Sequence, residues 1–246
     1  MKLLSLFLFF AATIASAQTI TIAFPEHIPP WVIQSNNSGI SIDIVSRAFH
    51  SEGVDVVPIY IPFTRMAKVL EQVHVDAVAM VEGKKIKEHY YSDIMTYFST
   101  SLISLDKNQF DISDIQQLAD KRTLAFQDAS KIFPDLRQLA SINVQYQEIA
   151  NQENQVAMLF KGRVDFIIID ANIFHYWRHT LTKIDTREHV KFHDLDLISA
   201  IQVKSPTRVV FKEAYLRDAF NLGLEKLINS GEYDQIVKRY TTASLP

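Results

Sequence analysis

A carboxylate that ends an apolar run is the first feature of this sequence with chemical content. In "KGRVDFIIIDANIF" (161–174) Phe166, Ile167, Ile168 and Ile169 form an unbroken apolar row that stops at Asp170. A run of that length, rich in β-branched residues and bounded by charge, reads as a strand buried on both faces, the kind found in parallel sheets. An acid at its end has two uses. It can cap the helix that begins near Asn172, or its tip can reach a crevice and hold a cationic group, and position alone leaves both open. Asp165, at the other end of the run, reads as structural. His175 and His179, four apart on a helix, and His189 and His193 at the same spacing are the residues to weigh for a metal. His-x-x-x-His without a Glu or Cys partner is a weak signal, so no metal and no cofactor are expected. No Ser-His-Asp order, nucleophile elbow, phosphate loop or nucleotide fingerprint occurs, which leaves the common enzyme classes without residues.

Composition narrows the setting. Residues 1–17, "MKLLSLFLFFAATIASA", carry one positive charge at Lys2, an apolar core and the small-x-small ending Ala15-Ser16-Ala17. That is the pattern of a secretory signal peptide, cleaved after Ala17, with an apolar part too short to span a bilayer. The mature chain is expected to be soluble and periplasmic. It has no cysteine, so neither disulfides nor thiol chemistry contribute. The net charge of -3 becomes slightly more negative when Lys2 is removed, which argues against nucleic acid or an anionic membrane as partner.

The elements that would position Asp170 alternate along the chain. Strands are expected at 19–24, 54–62 and 75–81, with helices at 41–53, where Ile42, Val45, Ala48 and Phe49 share a face, and at 64–73. A further strand at 96–105 leads into a second unit: a strand at 123–127, a helix from about Ser130, a strand at 144–149, a helix over 151–161, and the strand that ends at Asp170. An extended stretch at 198–205 and two terminal helices over 211–240 complete the chain. Two β-α-β units without a long linker predict an α/β protein of two lobes, each a mostly parallel sheet flanked by helices, joined by short crossing segments.

Four segments carry a resemblance to a known family. "IPPWVI" (28–33) follows the first strand, "GISIDIVSRAF" (39–49) opens the first helix, "KGRVDFIIIDANI" (161–173) contains a Gly-x-Val-Asp strand ending in Asp, and "LRDAFNLGLEKLINSGEYDQIVKRY" (216–240) closes the chain. From Thr19 to Tyr240 the sequence resembles the periplasmic solute-binding proteins of family 3, the polar amino acid type. The resemblance implies a type II two-lobed binding protein, with lobe one formed by 18–101 and 199–246 and lobe two by 102–198. Its ligand would sit in the cleft outside the carboxyl ends of the strands, and closure would be a hinge motion.

The resemblance also implies the site. Asp170 would take a ligand's ammonium group. Glu26 would offer a polar contact, and Trp31 an aromatic wall that stacks on a flat or cationic part. Phe63 and Arg65 in "PFTR" follow the second strand, where Phe63 reads as core rather than wall and Arg65 could equally pair with an acid. Gln127 and Ser130 in "AFQDASKIF" stand where a helix N-terminus offers N–H groups to an anion, although Ser130 could be a simple cap. The departure lies in "AMVEGKKIKEHYYSD" (79–93). Members that bind α-amino acids usually carry an Arg here to fork onto the α-carboxylate. This chain has Glu82, Gly83, Lys84 and Lys85, and lysine is a poor substitute for a planar fork. The expectation is a monomeric receptor for a small polar solute, amine-containing or amino-acid-like, delivered to an ABC permease or a signalling receptor. The alternative is a periplasmic enzyme of the same fold, a cyclohexadienyl-type dehydratase.

Overall fold

The computed structural model describes residues 18–72, 74–83, 86–193 and 204–241. The signal peptide expected over 1–17, the loop residues Lys84 and Lys85, and most of the extended stretch expected at 198–205 lie outside the described residues. Among the described residues no helix is long and apolar enough to cross a membrane.

The strands and the first helix of the first unit are built as the periodicity predicts. Strand β1 (Gln18–Pro25) runs parallel to β2 (Val54–Ile61), and α1 (Ile40–His50) lies between them in sequence with Ile42, Val45, Ala48 and Phe49 buried. The helix expected at 64–73 takes a different form. A 3-10 segment covers Phe63–Lys68 before a single α-turn, α2 (Val69–Gln72). The buried residues Met66 and Val69 are three apart, a spacing that a 3-10 turn eclipses onto one face. Strand β3 (Ala77–Glu82) then pairs parallel with β1. Met80 adopts a left-handed φ of 61°, and the register of the neighbouring strand shifts opposite it. This bulge bends the strand just before Glu82.

The second unit is reached through one long strand. After the two-residue strand β4 (Tyr90–Tyr91), β5 (Thr96–Leu105) changes partners midway. Its first half, Thr96–Ser99, pairs with the late strand β10, while Thr100–Ser104 pairs with β8. The second sheet contains β6 (Thr123–Phe126), β7 (Tyr146–Ile149), β8 (Phe166–Asp170) and β9 (Val190–His193). Strand β9 is an element the sequence pattern did not signal. The helix expected from Ser130 is split into α3 (Ala129–Ile132) and α4 (Pro134–Ile142). Pro134 has no N–H and favours the first helical position, and Phe133 before it is extended, as a residue preceding proline prefers. Helices α5 (Gln152–Phe160) and α6 (Ala171–Thr180) flank β8 in sequence.

Strand β10 (Lys204–Phe211) returns to the first sheet and includes Lys204 and Ser205, the described end of the stretch expected at 198–205. Helices α7 (Ala214–Asn229) and α8 (Glu232–Thr241) follow it. The strand order is β2-β1-β3-β10-β5-β8-β6-β7, with β5 and β10 antiparallel to their neighbours at the centre. Strand β8 is buried on both faces as expected, though only its β6 side is parallel. Ile167 and Ile169 face the main core, and Phe166 and Ile168 face a second cluster with Leu136 and Phe133.

Two tyrosines tie the terminal segment to the rest of the fold. The Tyr240 hydroxyl accepts the Gly39 amide at 3.0 Å and donates to Asp43 at 2.8 Å, and the Tyr233 hydroxyl donates to the Met95 carbonyl at 3.0 Å. They fasten α8 to the start of α1 and to the chain entering β5. Beside them Phe49, Phe211 and Phe220 pack with ring centroids 5.6–5.9 Å apart, each pair adding about 0.5–1.5 kcal/mol beyond area burial.

Candidate ligand-binding site

Asp170 ends β8 and caps α6, and both of its carboxylate oxygens accept hydrogen bonds. Oδ1 accepts the amides of Asn172 at 3.0 Å and Ile173 at 3.1 Å, which makes it the N-cap, and it also accepts the Trp31 indole N–H at 3.2 Å. Oδ2 accepts the Ser99 amide at 2.6 Å. The residue is 6% exposed. Burial pushes its pKa up to about 6, against the opposing pull of the Ser99, Ile173, Trp31 and Asn172 donors. Of the two uses open to an acid here, the cap is the one seen in the geometry. A ligand's ammonium would compete with these four donors for the carboxylate.

Trp31 is 2% exposed and rests edge-on against Phe98, ring centroids 5.4 Å apart. It is therefore buried between the loop after β1 and the crossing strand β5, with its N–H on Asp170. The loop that carries it is fixed by main-chain bonds: Ile28 and Val32 form a bridge, and Pro30 and Trp31 carbonyls accept the Ile40 and Ser41 amides. Gly39 is required there. Its φ is 127°, and a Cβ on it would stand 2.5 Å from the Trp31 carbonyl oxygen.

The remaining candidates lie at or just past the carboxyl ends of strands β1, β2, β3 and β6. Glu26 is exposed just past β1, its amide bonded to the Ile61 carbonyl. Arg65 is exposed in the 3-10 segment, and no ion pair to it occurs among the described residues. Phe63 begins that segment. Glu82 ends β3 opposite Thr207 and is half-buried. Gln127 is exposed past β6, with its amide on the Ile149 carbonyl.

Ser130 departs most from the expectation. Its amide, the donor offered to an anion, is taken by Glu148 Oε1 at 2.7 Å, and the Tyr146 hydroxyl donates to the same oxygen at 2.9 Å. Burial, then the bond to Glu148, raises the Tyr146 pKa far above its usual value. The chain's own carboxylate thus sits where an external one would bind. Glu148 and Ser99 are the residues sequence reasoning missed. Glu148 had a signal, an acid near the end of a strand like Asp170, whereas Ser99 acts through its backbone and follows only from strand register.

Asp165, read as structural, and His175 and His193, weighed for metal, have their own partners. Asp165 binds Arg122 through Nε at 3.1 Å, an Nη at 2.6 Å and the amide at 2.9 Å. Burial works to raise the Asp165 pKa, and the Arg122 contacts outweigh it, so the net direction is down. His175 stacks on Phe192 and His193 hydrogen-bonds Ser104 while packing on Phe166. Among the described residues no three His, Cys, Asp or Glu side chains gather as a metal site.

The sequence matches the bacterial extracellular solute-binding proteins, family 3, over residues 20–243. No curated protein matches it. Among solved structures it is similar to the probable amino-acid ABC transporter extracellular-binding protein ytmK from Bacillus subtilis, at 17% identity over 93% of this chain and 100% of that one, TM-score 0.70. It is also similar to the GluR0 ligand-binding core from Nostoc punctiforme in complex with L-glutamate, at 16% identity over 91% and 100%, TM-score 0.66. A third is an ancestral cationic amino acid solute-binding protein, AncCDT-1, at 15% identity over 91% and 95%, TM-score 0.68. At such identities the likeness is one of fold, the type II two-lobed α/β architecture that the sequence pattern implied.

Proposed function

The chain belongs to the bacterial extracellular solute-binding proteins of family 3, and we propose that it is a periplasmic receptor for a small amine that lacks an α-carboxylate. The observation that carries the choice of ligand is the Glu148–Ser130 contact at 2.7 Å. A second carboxylate brought to that amide would meet a like charge, which costs rather than stabilises. The loop at 79–93 supplies no arginine to compensate. The acids at strand ends, Glu26, Glu82 and Asp170, favour a cation, and one structural relative is named for cationic amino acids.

In this reading lobe one comprises 18–101 and 199–246 and lobe two 102–198, a division supported by the partner change between Ser99 and Thr100 in β5. Residues 1–17 direct export and are cleaved after Ala17. Closure about β5 presents the bound amine to an ABC permease or a sensor, the former in keeping with a relative named as a probable amino-acid ABC transporter extracellular-binding protein. The dehydratase alternative needs cations for two substrate carboxylates and a free general acid. It is disfavoured by the missing arginine and by the four donors wrapped around Asp170.

Cadaverine and L-lysine differ only in the α-carboxylate, so melting the protein with each tests the proposal. Cadaverine should raise the melting point, by the equivalent of about 2.7 kcal/mol at a hundredfold excess over its dissociation constant, and L-lysine should act less. A larger shift with L-lysine would reject the choice of ligand.

A further inference from the structure

We propose that the Trp31 indole N–H is a built-in donor for Asp170, which ties the loop after β1 to the start of α6 and competes with a ligand's ammonium for the carboxylate. The proposal rests on the amine-receptor reading for the identity of the competitor, and on geometry alone for the tie.

Trp31 belongs to the first unit, held by the bridge between Ile28 and Val32 and by the amides of Ile40 and Ser41. Asp170 ends a strand of the second sheet. Their contact therefore joins the two sides of the crossing strand, whose own Ser99 amide lies on the other carboxylate oxygen. The four donors are unequal. Ser99 at 2.6 Å is short for a charge-assisted bond, and the Asn172 and Ile173 amides are fixed by the helix they begin. Trp31 at 3.2 Å is the longest and the one carried by a side chain. An ammonium prefers about 2.7–2.9 Å from a carboxylate oxygen and brings a full charge, so it would displace the indole while leaving the three amides in place.

Displacement of Trp31 frees the lobes to adjust around the ligand, and the fraction of molecules with the indole in place lowers apparent affinity by that fraction. Trp31 is thus a specificity residue of the opposite sense to a stacking wall: removing its N–H should strengthen amine binding.

The tie is tested without any ligand. In a Trp177→Phe background Trp31 is the sole tryptophan, since the chain has two. Acrylamide should quench it weakly, and Trp31→Phe should increase the radius of gyration in small-angle scattering. Free quenching of Trp31, or equal radii for wild type and a folded Trp31→Phe variant, overturns the tie. Should Trp31→Phe fail to fold, the quenching result decides alone. The competition is tested by adding cadaverine to the Trp177→Phe protein. A melting shift with increased quenching of Trp31 supports it, and a melting shift with quenching unchanged overturns it. Neither change, with the tie intact, rejects the amine reading and the competition that depends on it, and leaves Trp31 a structural tie.

Discussion

The Ser99 amide lies 2.6 Å from Asp170 Oδ2, across the point where β5 leaves one sheet for the other. Asp170→Asn preserves the shape and one accepting oxygen, which can continue to serve Asn172 and Ile173. Its amide nitrogen, however, would face the Ser99 N–H, donor against donor. Leaving a buried donor unsatisfied costs about 1–3 kcal/mol, so stability should fall by that amount at pH 7 and the melting point with it. Thermal denaturation followed by circular dichroism measures it, and an unchanged melting point would mean the bond does not hold the crossing strand.

Asp170 also sets a pH dependence with an uncommon sign. Its folded pKa of about 6 lies above the unfolded value of about 4, so the folded state binds the extra proton between them. Stability from this group is fully present below about pH 4 and is lost as pH rises to about 6, an effect on the order of 3 kcal/mol. His175 and His193, whose pKa values burial lowers, act oppositely, because they cost stability as pH falls below their unfolded value. The difference between wild type and Asp170→Asn isolates the carboxyl. In denaturant titrations the stability of the wild type relative to the variant should rise from about pH 6 to about pH 4, and a flat difference would contradict the buried charge.

Gly223 on α7 packs directly on the α1 backbone. A Cβ there would fall on the Ala48 carbonyl oxygen and stand 2.6 Å from its carbon. Gly223→Ala gains about 1 kcal/mol of helix propensity and must separate two helices to do so. Overpacking typically costs about 1–3 kcal/mol, occasionally more, and backbone against backbone yields least. The expected outcome in urea denaturation is a net loss of about 2 kcal/mol, whereas stabilisation would show that the helices can part freely.

What the sequence conveyed and what it concealed divide along physical lines. Strand β8 and helix α1 were legible because burial on two faces or on one stripe leaves a periodic signature, and the row from Phe166 to Ile169, bounded by Asp165 and Asp170, has no polar face to turn outward. Strand β9 was not, since Val190–His193 is four residues long with Phe192 exposed. Met66 and Val69 are spaced for either an α or a 3-10 turn, so the segment after Pro62 could not be assigned by period alone. At the site, Asp170 was visible as an acid ending a strand, while its partners depended on register: Ser99 follows from Thr100 facing Asp170, and Glu148 reaches Ser130 because β7 lies beside β6.

Glu148 gives the sharpest test of ligand charge. Glu148→Gln keeps an oxygen for the Ser130 amide and the Tyr146 hydroxyl but removes the negative charge beside the place an external carboxylate would take. The fold should lose little, about 1 kcal/mol, because a neutral acceptor replaces a charged one in bonds that persist. Ligand preference should move more. With a like charge gone, L-lysine should gain on cadaverine by at least about tenfold in calorimetry, the equivalent of roughly 1.4 kcal/mol. If the ratio of the two affinities is the same in Glu148→Gln as in the wild type, Glu148 does not exclude the carboxylate, and the search for the residues that choose the ligand moves to Glu26, Arg65 and Glu82.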